Sequence, residues 1–187
     1  MIGVLITGCS MHSFDLIRAL RNNYDGEEFH VVGINCDDDA LLRDGVDAGY
    51  VVPRITEPDY LPTVLRICEE ENVDVILPYI TAELPIMAEN KSYFEDRGIK
   101  VSISSPEAIK GTNDKVALSK IFPDYMPKQT IAHNAIDCIA FATSVGYPNK
   151  LICCKLSNKC GGIGFSVVDE VRGRDMTLFN KFGVNRF

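Results

Sequence analysis

Short apolar runs rich in β-branched residues alternate with helical patterns through the first hundred residues, and that alternation leaves few architectures open. Residues 2–7 (IGVLIT) form a buried-strand pattern ended by Gly8. Residues 29–35 (FHVVGIN) give a second strand, closed by the acidic turn Asp37, Asp38 and Asp39. Residues 48–53 (AGYVVP) give a short third strand before Pro53. Residues 73–80 (VDVILPYI) are nearly continuously apolar, as a strand covered on both faces requires. Residues 99–104 (IKVSIS) supply a fifth. Between them, Ser13 is placed to cap a helix carrying Phe14, Ile17 and Leu20 at helical spacing. Leu61, Val64, Leu65 and Cys68 stand at i, i+3, i+4 and i+7, which leaves Glu69, Glu70 and Glu71 to solvent. Thr81 is expected to cap a helix with Pro85 in its first turn and with Leu84, Met87 and Phe94 facing inward. Such alternation predicts an α/β fold with a doubly wound, Rossmann-like parallel sheet, and places any ligand at the carboxyl ends of its strands.

After residue 105 the rhythm changes. The segment SPEAIKGTNDKVALSKIF opens with a Ser-Pro helix entry, is expected to break at Gly111, and restarts with Thr112 as cap. A proline-marked connection and a helix around Ile136, Ile139 and Ala140 follow. Residues 151–156 and 164–168 are β-rich and flank a glycine-rich turn, the pattern of a hairpin. A second domain with antiparallel strands is therefore expected from about residue 106 to residue 187.

The formal charge of −7 argues against a general nucleic-acid-binding or polybasic membrane surface. No apolar run approaches the roughly 20 residues that span a bilayer. The odd count of seven scattered cysteines fits reduced thiols in a cytoplasmic protein better than a disulfide framework. The chain opens on a strand pattern with no signal-peptide layout.

The densest cluster of chemistry-bearing residues is CCKLSNKCGGIGFSVV, residues 153–168. Cys153 and Cys154 are adjacent in a strand and point to opposite faces, so they do not share a metal, and both are expected to act as small packing residues. Gly161, Gly162 and Gly164 lack the Walker spacing and join two strands; their turn is either an anion-binding concavity or a hairpin that needs positive φ. Lys155 shares a strand face with Leu151 and Cys153, which favours an anion partner, although edge-strand lysines are also common. At the first strand-to-helix turn GCSMHS retains only one glycine of GxGxxG, which disfavours a dinucleotide even with Asp37 near the place of a ribose-binding acid. His12, His30 and His133 are far apart and form no triad pattern.

Taken together, ISSPEAIKGTNDKVALSKIF, MPKQT and VGYPNKLICCKLSNKCGGIGFSVV resemble the opening of an ATP-grasp domain, in which a DK helix precedes a lysine-bearing strand and a glycine-rich loop. AGYVVPR, VDVILPYITAELPIMAENKSYFEDRGIKV and SPEAI resemble the preATP-grasp domain, closest to proteins similar to the carbamoyl-phosphate synthase large chain. The resemblance implies a Rossmann-like preATP-grasp domain over 1–105 and a partial α+β ATP-grasp subdomain over 106–187.

By that resemblance Lys115 and Lys155 contact ATP phosphates, and Cys160, Gly161, Gly162 and Gly164 belong to the covering loop. Thr81 and Glu83 face the substrate cleft. Leu156 stands where the family has proline after the strand lysine. The family's adenine hinge and its acidic and Asn ligands for Mg²⁺ are expected downstream of Phe187, while Asp169, Glu170 and Asp175 are expected at the surface. The chain thus reads as a fragment of an ATP-dependent carboxylate–amine ligase-like protein, inactive alone. Its parent would bind ATP and a small carboxylate, proceed through an acyl phosphate, and act in the cytoplasm as a homodimer without nucleic acid or membrane. The alternative is a non-enzymatic nucleotide-binding or regulatory module, or one subunit of a split enzyme.

Overall fold

A computed structural model of the protein describes residues 1–39, 42, 45–157, 165–171, 175–180 and 183–186. The chain divides into two compact units, Met1–Lys110 and Gly111–Phe187.

In the first unit, β1 (Ile2–Ile6), β2 (Phe29–Asn35), β3 (Ala48–Val51), β4 (Val75–Leu77) and β5 (Lys100–Val101) form one sheet in the order β3-β2-β1-β4-β5. Every pairing is parallel; Ile2 lies opposite Phe29, and Val4 opposite Val75. The doubly wound parallel sheet expected from the sequence is present. Strand alternation sends neighbouring side chains to opposite faces. Val4, Ile6 and Val31 pack on one side with Ile17 of α1 (Phe14–Arg21), and Leu5, Val32 and Ile34 pack on the other. That second core is closed by α2 (Tyr60–Glu70), which buries Val64, Leu65, Ile67 and Cys68, and by Met87 and Phe94. Fully burying each such aliphatic side chain contributes about 1.5–3 kcal/mol.

Three local expectations are corrected here. The helix carrying Met87 and Phe94 is split into α3 (Leu84–Glu89) and α4 (Lys91–Glu95). Asn90 leaves helical geometry at φ −108° and its amide donates to the Ile86 carbonyl at 2.8 Å, closing the turn. The residue at the N-cap of α3 is Glu83 and not Thr81, because the Thr81 carbonyl is used in the preceding turn, accepting from Leu84 N–H at 3.4 Å. Glu71 is not a solvated surface charge. It is 20% exposed and held between β2 and β3 by His30 and Tyr50.

The boundary between the units falls within α5 (Pro106–Asn113), which runs through Gly111 without the expected break. A Cβ at Gly111 would lie 2.9 Å from Ile121 Cδ1, so the glycine serves a close approach and not a stop. Asp114, and not Thr112, caps α6 (Lys115–Ile121), its carboxylate accepting from Val116 N–H at 2.7 Å and Ala117 N–H at 3.2 Å. Farther on, α7 (Ala135–Val145) turns Cys138, Phe141, Ala142 and Val145 inward, while Ile136 is 77% exposed.

The expected hairpin strands pair antiparallel: β6 (Ile152–Cys154) lies against β7 (Ser166–Val171), with Cys154 opposite Ser166. Two further strands, β8 (Asp175–Asn180) and β9 (Gly183–Arg186), extend this sheet in the order β6-β7-β8-β9. Asp169 and Glu170 lie in β7 and Asp175 in β8. Among the described residues no helix is long and apolar enough to cross a membrane.

Candidate functional site

The winding of the first sheet reverses between β1 and β4, and it is at such a switch point, past the carboxyl ends of the strands, that open α/β sheets bind ligands. Thr7, fully buried just beyond β1, accepts a hydrogen bond from Tyr79 N–H at 3.0 Å, and Tyr79 in turn donates from its hydroxyl to the His12 carbonyl at 2.8 Å. Gly8 adopts φ +55°, and the side chain of Ile80 occupies the space where a Cβ would stand. A dinucleotide of the GxGxxG type needs that turn open to its pyrophosphate. Here Ile80 covers it, in agreement with the missing glycines.

Glu83 follows in the same turn as Thr81, its N–H donating to the Ile80 carbonyl at 2.9 Å. The Glu83 side chain is buried beside Thr7 and Tyr60. Burial pushes its carboxyl above the ordinary range, against the opposing influence of the Thr7 and Tyr60 hydroxyls. The Tyr60 hydroxyl stands near the Glu83 carboxyl, yet neither it nor Glu83 Oε2 makes a hydrogen bond of full geometry among the described residues. A carboxyl with an unpartnered oxygen at this edge can accept from, or when protonated donate to, a polar group placed there. Thr81 is half-buried in the same turn. Thr7 and Tyr60 were not singled out by sequence, since a threonine ending a strand and a tyrosine starting a helix carry no motif.

In the second unit Lys115 begins α6. Its backbone N–H donates to the Ser157 carbonyl at 3.2 Å, and its ammonium lies 3.4 Å from the same oxygen. Ser157 is two residues past Lys155, so the fold brings Lys115 to the segment that carries Lys155. Lys155 stands one residue beyond β6, on the exposed face it shares with Leu151 and Cys153. Its ammonium lies 5.7 Å from the centre of the Phe165 ring, within cation–π range. Exposure of that face means that Lys155 does not need an anion to be tolerated there. It also corrects the reading of Cys153 as a packing residue; Cys154 is half-buried. Cys160, Gly161, Gly162 and Gly164 lie outside the described residues. No group of three or more His, Cys, Asp or Glu side chains that could hold a metal ion occurs among the described residues.

A separate cluster lies at the opposite, amino-terminal edge of the first sheet. His30 Nε2 donates to Glu71 Oε2 at 2.6 Å, and Tyr50 donates its hydroxyl to Glu71 Oε1. These bonds, Tyr50 first, hold the Glu71 carboxyl below its ordinary range, while the same contact pushes the Tyr50 phenol up to about 12. The exposed Asp37 carboxylate pairs instead with Arg54 at 3.2 Å, as a surface charge.

Comparison with known proteins agrees with this architecture. The carbamoyl phosphate synthase large chain of Archaeoglobus fulgidus is 28% identical over 141 residues, which cover 70% of this chain and 12% of that protein. The chain therefore spans about an eighth of the length of that relative. Among solved structures, an N5-carboxyaminoimidazole ribonucleotide synthetase in complex with ADP matches 90% of this chain and 41% of its own, at 12% identity and a TM-score of 0.56. The biotin carboxylase domain of Hydrogenobacter thermophilus 2-oxoglutarate carboxylase, solved with MgADP, ADP and bicarbonate, matches 88% of this chain and 37% of its own, at 18% identity and a TM-score of 0.53. At these identities the structural matches speak for the fold. The sequence resemblance to a preATP-grasp domain is borne out by a family model described as "PylC-like, N-terminal domain", which matches residues 4–102. That span is more than half of the chain, and the protein belongs to the family of PylC-like N-terminal domains.

Proposed function

We propose that the chain is the amino-terminal part of an ATP-grasp carboxylate ligase, with nucleotide phosphates gripped in the second unit and a small carboxylate met at the switch point of the first. The observation that carries this reading is the tie between Lys115 and Ser157, which sets Lys115 against the segment that carries Lys155. Two ammonium groups and backbone amides together offset a triphosphate. Family membership, the carbamoyl phosphate synthase relative and the ADP-bound structural neighbours support the same chemistry.

In the reaction this implies, a substrate carboxylate oxygen attacks the γ-phosphorus of ATP and ADP leaves. A nitrogen nucleophile then adds to the acyl phosphate and expels phosphate. Lys115 and Lys155 would hold the phosphates, and Glu83 with Thr81 would orient the carboxylate partner. Among the described residues no cluster suits Mg²⁺, whose ligands the family resemblance expects downstream of Phe187.

Calorimetric titration with ATP tests the reading, with NAD as the control. ATP binding that weakens at least tenfold in Lys155→Ala and in Lys115→Ala is expected. Binding of NAD without ATP would overturn it.

A further inference from the structure

Cys138 on the inward face of α7 and Cys154 at the end of β6 bring their sulfurs to 3.5 Å. Both are half-buried free thiols, separated by 16 residues in the chain. A disulfide needs the sulfurs at about 2.05 Å, so side-chain rotation has to close a gap of only about 1.5 Å. Two cysteines that merely filled space would have no need to face each other from different elements. Here α7 and β6 each direct one thiol at the other, and neither is sealed from solvent.

We propose that Cys138 and Cys154 form a thiol–disulfide modification site, closed by a low-molecular-weight disulfide such as glutathione disulfide into a cross-link between α7 and β6. The Cys138 thiolate attacks one sulfur of the small disulfide, breaking its S–S bond and releasing one thiolate. Cys154 loses its proton and attacks the Cys138 sulfur of the mixed disulfide, releasing the second. Two protein thiols are oxidised, one small disulfide is reduced to two thiols, and the two protons end on those thiols. Burial, then the contact with Cys138, pushes the Cys154 thiol up to about 11, which keeps it protonated and disfavours it as the first attacker. Transient cross-links of this kind are the form disulfides take in reducing compartments.

Because Cys154 directly precedes Lys155, the cross-link would pin the backbone from which that ammonium extends. This consequence for nucleotide binding rests on the role proposed for Lys155; the cross-link itself does not.

The test treats the whole chain with glutathione disulfide at pH 8 and maps the products by mass spectrometry, in wild type, Cys138→Ser, Cys154→Ser and Cys153→Ser. The Cys153→Ser variant removes the ambiguity of the peptide that carries both neighbouring cysteines. A dithiothreitol-reversible link between residues 138 and 154, retained in Cys153→Ser and absent from the other two variants, is expected. Pairing of either cysteine with Cys160 or Cys153, or accumulation of glutathione adducts without an internal link, would overturn the proposal. ATP titration of the reduced and cross-linked forms is read separately. At least threefold weaker binding after cross-linking is expected. Failure of the reduced protein to bind ATP would count against the nucleotide reading and leave the thiol pair standing.

Discussion

The Glu71 carboxylate joins His30 of β2 to the carboxyl-terminal end of α2 through a 2.6 Å hydrogen bond, and its second oxygen takes the hydroxyl of Tyr50 on β3. One side chain thus fixes two strands and a helix at the edge of the sheet away from the switch point. Glu71→Ala leaves two half-buried donors without their acceptor, and each such loss costs about 1–3 kcal/mol. Urea unfolding of the variant should show a lowered midpoint with an unchanged slope. The acid limb should change as well. A carboxyl held below its ordinary value of 4.5 contributes stability that is complete above that value and is lost as pH falls through the lower folded value. Wild-type stability should therefore drop below about pH 4.5 more steeply than that of the variant, and parallel acid curves would contradict the assignment.

Glu83 carries the opposite sign. Its folded-state carboxyl titrates above the ordinary 4.5, so the native state holds more protons than the unfolded chain once pH exceeds that value. Stability falls as pH rises through this window and levels off above the folded pKa. Glu83→Gln keeps the shape without the charge, and its melting temperature should decline less than that of wild type between pH 5 and pH 8. Equal declines in the two proteins would show that the carboxyl is not the source.

Asp114 is the cap that starts the helix carrying Lys115. Asp114→Ala should cost about 0.5–2 kcal/mol, whereas Asp114→Asn should keep most of the wild-type stability, since both side chains cap well. Denaturant midpoints of the three proteins provide the comparison. An alanine variant as stable as wild type would mean that α6 is held by packing alone.

Phe94 is fully buried in the larger core and meets Tyr93 edge-on at 5.3 Å. Phe94→Ala should destabilise the first unit by about 3–5 kcal/mol. Guanidinium unfolding followed by circular dichroism measures this. A loss below 1 kcal/mol would place the side chain outside the cooperative core.

Much of the first unit was legible because its signals are local and repeated. Val4, Leu5 and Ile6 announce a strand covered on both faces, and Val64, Leu65 and Cys68 fall on one side of a helix whichever neighbours they meet. What escaped the sequence depends on pairings distant in the chain. Nothing near Glu71 signals His30, 41 residues earlier, or Tyr50. The break at Asn90 turns on one side-chain bond, and Glu83 at the head of α3 follows from how the preceding turn uses the Thr81 carbonyl. In the second unit Lys115 was marked by its DK motif, but its partner Ser157 belongs to a segment 42 residues on. Cys153 and Cys154 were distinguished by strand alternation, yet which face would be covered depended on α7.

The seating of Ile80 over Gly8 sets a boundary for redesign. A protein engineer wishing to install nicotinamide cofactor specificity on this scaffold could not begin by adding the absent glycines at Ser10 and Ser13, because the obstruction comes from the far side of the sheet's switch point. Ile80 would have to shrink first. Tyr79 beside it also ties β4 to both Thr7 and His12, so altering that residue would loosen the floor of the new pocket along with its roof. Ligand selectivity and the local rigidity of this edge are therefore encoded in neighbouring positions of one short turn, and changing the first without the second calls for substitution at Ile80 alone.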